Sequence, residues 1–145
     1  DYPFIMEGKI INSDIIQQAG DKTLIKVGEL IGPQVEMYQD KNREFDIENY
    51  YNHSYLREIK FDIPKGFEIV NLNELNMDFF GLNKQNKRIM EFKSSYKIEN
   101  NTLIVTVTEF YNEIRLPKER YEEFRKVINA AADFNKKVLI LSPKK

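Results

Sequence analysis

The stretch RIMEFKSSYKIENNTLIVTVTEFY, residues 88–111, constrains the fold of this chain more than any other. Met90, Phe92, Tyr96 and Ile98 alternate with Glu91, Lys93 and Lys97. Leu103, Val105 and Val107 alternate in turn with Ile104, Thr106 and Thr108. A two-residue period is that of a strand with one buried face. Between the runs stands Asn100-Asn101. Asparagine tolerates the positive φ that both central positions of a type I′ turn require, so the stretch predicts an antiparallel β-hairpin.

Other segments carry the same signal. From Tyr55 to Ile63, Ile59, Phe61 and Ile63 alternate with Glu58, Lys60 and Asp62. Pro64-Lys65-Gly66 then reads as a turn, and FEIVNL resumes an extended pattern with Phe67 and Ile69 on one face. FIMEGKII and TLIKVGELI are rich in strand formers, and QQAGDK before the second of them reads as a turn. Pro33 lacks an N–H, which favours a sheet edge or a crossing between sheets. DKNREFDIE reads as a polar loop followed by an edge strand.

The period changes after Leu116. Pro117 suits a first helical position, where its missing N–H costs nothing. Tyr121, Phe124, Val127, Ile128, Ala131 and Phe134 follow at steps of three or four, which predicts an amphipathic helix of about five turns. Glu119, Glu122 and Glu123 suit the positive end of its dipole. VLIL is then a short last strand. The expected fold is a mainly antiparallel β-sandwich of roughly seven or eight strands with one C-terminal amphipathic helix followed by a short strand. An immunoglobulin-like topology is compatible with that count, and strand order is open. One domain is expected over residues 1–145, with residues 1–23 its least certain part.

Composition excludes several classes of function. Lys plus Arg number 22 against 23 Asp plus Glu, so no strongly basic nucleic-acid surface is expected. The basic NKQNKR stretch, residues 83–88, reads as a solvated loop. No apolar run approaches the about 18 residues of a membrane-spanning helix. The absence of cysteine removes disulfides, thiolate metal sites and a cysteine nucleophile.

Candidate chemistry centres on YYNHSY, which holds the one histidine, His53. A histidine can do acid–base work only beside a nucleophile, a substrate or an orienting group. None of the serines lies in a Gly-x-Ser-x-Gly elbow. One histidine with scattered carboxylates has no metal-ligand spacing. Asp40, Glu44, Asp46 and Glu48 lack the ligand order and central glycine of a calcium loop. His53 is therefore read as a residue beside a strand that hydrogen-bonds locally. Aromatic faces stack on sugars, which makes Tyr50, Tyr51, His53 and Tyr55 the candidate binding residues. No catalytic residue, metal ligand or cofactor-binding residue is expected.

IGPQVEMYQDKNR, YLREIKFDIPKGFEIVNLNEL and PKERYEEFRKVINAAADFNKKVLIL resemble the C-terminal β-rich region of transglutaminase-like proteins common in Bacteroidetes. The resemblance spans residues 24–141. It implies a domain excised from the C-terminus of a longer polypeptide, behind a papain-like core. That core holds the family's Cys-His-Asp set, to which nothing here corresponds, so His53 is not its catalytic histidine. Export to the periplasm or cell envelope is implied. The expected function is that of a non-catalytic accessory domain, docking on or orienting the core of the same polypeptide or its substrate. The alternative is a module that binds envelope glycan or protein through exposed aromatic residues.

Overall fold

The computed structural model describes residues 4–9, 11–38 and 43–144. The chain runs β1 (Ile16–Ala19), β2 (Lys22–Ile25), β3 (Ile47–Glu48), β4 (His53–Asp62), β5 (Phe67–Ile69) and β6 (Met77–Leu82). It continues through β7 (Arg88–Glu99), β8 (Thr102–Tyr111), β9 (Arg115–Leu116), α1 (Tyr121–Asn135) and β10 (Leu139–Pro143). Short 3₁₀ helices occupy Val27–Ile31, Leu72–Leu75 and Lys118–Arg120. The architecture is mainly β.

The strands pair antiparallel in two four-stranded sheets, ordered β1-β2-β10-β5 and β4-β8-β7-β6, with a two-stranded ribbon β3-β9. The hairpin forms as its sequence dictates. Asn100 (φ 49°) and Asn101 (φ 65°) are both left-handed, and Glu99 pairs with Thr102. Residues directly opposite one another share a face. The register therefore groups the inner face of the larger sheet into rows: Phe61–Leu103–Ile98, Ile59–Val105–Tyr96, Arg57–Val107–Ser94, Tyr55–Glu109–Phe92 and His53–Tyr111–Met90.

Helix α1 lies on the β6–β7 half of this face, where the Phe134 and Phe92 rings meet with centroids 5.8 Å apart. Ile25, Ile69, Leu139 and Leu141 of the other large sheet join the same hydrophobic cluster, a sandwich-like arrangement. The apolar stripe of α1 faces inward as its spacing requires. Tyr121, Phe124, Val127, Ala131 and Phe134 are buried and Ile128 is half-buried, while Lys126 is exposed.

Four local expectations change. FIMEGKII forms no strand over its described residues, and Phe4, Ile5 and Met6 stand exposed, because strand-forming side chains need a partner strand and a face to bury. In TLIKVGELI only β2 is extended. The rest winds into the first 3₁₀ helix, which places Val27 and Ile31 on one buried side. The QQAGDK turn shrinks to Gly20-Asp21, since Gln17, Gln18 and Ala19 belong to β1. Pro33 lies in an irregular segment and not in a sheet.

The helix also starts later than Pro117 suggests. Pro117 precedes a 3₁₀ turn, with the Arg120 N–H donating to its carbonyl at 2.9 Å. Asp46 accepts the Lys118 N–H at 3.1 Å and so fixes that turn from a distant part of the chain. What remains is 15 residues of α-helix, about four turns.

Candidate functional site

At the β4 edge of the larger sheet the inner face turns polar. Phe61 and Ile59 give way along β4 to Arg57, Tyr55 and His53. Val105 and Val107 give way along β8 to Glu109 and Tyr111. Here β4 and β8 stand beside a strap formed by residues 31–37 and beside Ile128 of α1. The space between is a cavity of about 320 Å³.

The strap is held by two asparagines of α1. Asn135 Nδ2 donates to the carbonyls of Gly28 (3.1 Å) and Gly32 (2.9 Å). Asn129 takes the Met37 N–H at 2.8 Å and returns its own amide to the Met37 carbonyl at 2.9 Å. Two glycines make this course possible. Gly28 sits so close to the end of α1 that a Cβ would collide with the Phe134 and Asn135 carbonyl oxygens. Gly32 turns the chain with φ 84°, a conformation that side chains with a Cβ rarely adopt. Farther along, Lys136 pairs with Glu36, which also accepts from the Tyr38 hydroxyl. Lys136, before Tyr38, holds the Glu36 carboxyl below its ordinary range.

Within the cavity, Arg57 Nη1 donates to Glu109 Oε2 at 2.9 Å. The Glu109 side chain is only 7% exposed and that of Arg57 22%. The Arg57 guanidinium also lies over the Tyr55 ring, 4.5 Å from its centroid. The Tyr111 hydroxyl donates to the other oxygen of Glu109 at 3.3 Å. Burial, and next the neighbouring Glu109 charge, hold the Tyr111 phenol far above its ordinary value, so it remains a protonated donor. Tyr111 in turn packs edge-on against Phe124 of α1, with centroids 5.9 Å apart.

His53 opens β4, half-buried among three rings. Its ring centroid lies 5.5 Å from that of Tyr51, 5.6 Å from Tyr55 and 5.1 Å from Tyr111. Nδ1 is 3.0 Å from the Tyr51 carbonyl oxygen. A carbonyl only accepts, so Nδ1 is the donor in this bond. The local hydrogen bond expected of His53 is this one.

Of the four residues read from the sequence as a binding group, His53 and Tyr55 line the cavity. Tyr51 does not line the cavity but packs edge-on against His53, 65% exposed. Tyr50 is fully exposed and does not line the cavity. Sequence reasoning missed Arg57, Glu109, Tyr111 and the strap. Among the acidic residues weighed for calcium, Asp46 and Glu48 are drawn to Arg115 at 3.1 and 3.9 Å. Asp40 lies outside the described residues. No helix among the described residues is long and apolar enough to cross a membrane.

The sequence profile of a domain of unknown function with solved structure (DUF3858) matches residues 29–141, a span that includes every residue lining the cavity. The chain belongs to this family. No curated protein and no solved structure is a significant match to the chain. Within this DUF3858 domain, β1 and β2 precede the matched span. They are nonetheless built into its sheet, since β2 pairs with β10 through Ile25↔Leu139.

Proposed function

We propose that this DUF3858 domain is a non-catalytic accessory module of a transglutaminase-like cell-envelope protein, and that it holds part of the substrate for a core on the same polypeptide. The observation that carries this reading is the preformed cavity beside His53. Its wall is strapped to α1 by four asparagine hydrogen bonds, so the space exists before any ligand arrives. Its aromatic faces and ion pair can grip a ligand by stacking and hydrogen bonding. Glu109 is tied to Arg57 and Tyr111 and so stands as a fixed hydrogen-bond acceptor. The link to a transglutaminase-like core and to export rests on the sequence resemblance.

The test uses the parent polypeptide with and without Tyr55→Ala, assayed on a macromolecular envelope substrate and on a small acyl donor. The reading expects a raised KM on the large substrate alone. Turnover of casein or peptidoglycan peptides by the isolated chain, abolished in His53→Ala, would overturn it.

A further inference from the structure

We propose that the cavity between β4, β8 and the strap is a binding site for an uncharged sugar residue of a glycan. This rests on reading the chain as a substrate-holding module and names the class of substrate. Charge is the first argument. The cation and the anion of the cavity, Arg57 and Glu109, neutralise each other at 2.9 Å. A phosphate or carboxylate ligand would have to compete with Glu109 for Arg57 and would leave a nearly buried carboxylate unpaired, which is strongly unfavourable.

A hydroxylated ligand faces no such conflict. Arg57 has five N–H donors and engages Glu109 through Nη1, which leaves other donors for a ligand oxygen. The Glu109 carboxylate can accept more hydrogen bonds than the two it receives from Arg57 and Tyr111. Sugar hydroxyls both donate and accept, so they match this mixture.

Shape supplies the second argument. One face of a pyranose ring is largely C–H and packs on an aromatic ring. Tyr55 offers such a ring, 44% exposed and steadied by both Arg57 and His53. Tyr51, packed edge-on against His53, offers a second, more exposed ring. A volume of about 320 Å³ is at the small end of ligand pockets, suited to one or two sugar rings.

The isolated chain, ¹⁵N-labelled, would be titrated with N,N′-diacetylchitobiose, cellobiose, inorganic phosphate and a trialanine peptide. The expected result is that a neutral disaccharide shifts the amides of residues 53–57 and 109–111, with an affinity that added salt leaves unchanged. Tyr55→Ala should weaken it about tenfold or more while keeping the wild-type melting temperature. Tighter, salt-sensitive binding of phosphate at the same amides would overturn the sugar assignment. So would no response to either disaccharide at about 10 mM, beyond the weak millimolar range. If the peptide alone fills the cavity, the sugar inference falls and the substrate-holding reading stands. If no probe binds and Tyr55→Ala leaves KM of the parent protein unchanged on its large substrate, both fall.

Discussion

The inner face of the larger sheet has two halves built by different rules. On the packed half, Phe92, Met90 and Val107 are fully buried, Phe92 against the Phe134 ring, and the polar Ser94 donates to the Leu75 carbonyl at 2.6 Å. At the β4 edge the same face carries Arg57, Glu109, His53 and Tyr111 around a cavity. Replacing a buried ion pair with well-packed apolar residues is often neutral or stabilising, so such a pair is weak evidence of a stability role. The contrast separates a half arranged for packing from a half that, on the proposed reading, holds a ligand.

The largest effect is expected under the helix. Phe134→Ala should cost about 3–5 kcal/mol through lost burial and a cavity, a large share of the roughly 5–15 kcal/mol of a whole domain. Phe124→Ala should also lower the denaturant midpoint strongly, whereas Lys126→Ala on the exposed side should stay within about 0.5 kcal/mol. Equal, small effects would mean that α1 does not seal the packed half. Next, Arg57→Met leaves Glu109 buried without its cation and should cost about 3 kcal/mol in denaturant unfolding. Gly28→Ala forces a Cβ against backbone carbonyls that cannot swing away. A loss of about 1–3 kcal/mol is expected, with amide shifts concentrated in residues 31–37 as the strap moves.

The smallest effect contrasts an ion pair on the outer face with the buried one. Hydrogen bonds from Arg88, at 2.7 and 3.0 Å, hold the Asp78 carboxyl below its ordinary value of 3.8. A depressed carboxylate contributes stability above its unfolded pKa and loses it as pH falls through the lower folded value. Asp78 is 44% exposed, so solvent screening limits the effect to a few tenths of a kcal/mol. Asp78→Asn should therefore cost that little at neutral pH and nothing by about pH 2. A cost that persists in acid would show that the charge is not its source.

Much of the packed half was legible because it obeys one local period. The alternation that marks Leu103, Val105 and Val107 as inward continues in phase to Glu109 and Tyr111, and that of Phe61 and Ile59 runs back to Arg57. The ion pair was thus within reach of the sequence: a charge in phase with buried apolar residues on each of two strands. Its pairing partner was not, because β4 and β8 meet only through the register of the sheet. The strap was hidden for the same reason. Asn129 reads as a polar helix residue until the fold brings Met37 to it across 92 residues of chain. Apolar content misled at FIMEGKII, where nothing in the local sequence reports the missing partner strand.

The proposal that the polar half serves a ligand and not the fold is tested by denaturant unfolding of the triple variant Arg57→Met/Glu109→Leu/Tyr111→Phe, which also removes the buried hydroxyl that donates to Glu109. A midpoint at or above that of the wild type is expected, because the apolar replacements remove two desolvated charges and complete the core face. A loss of about 3 kcal/mol, as large as that of Arg57→Met alone, would show that the ion pair holds the sheet together and would contradict the claim.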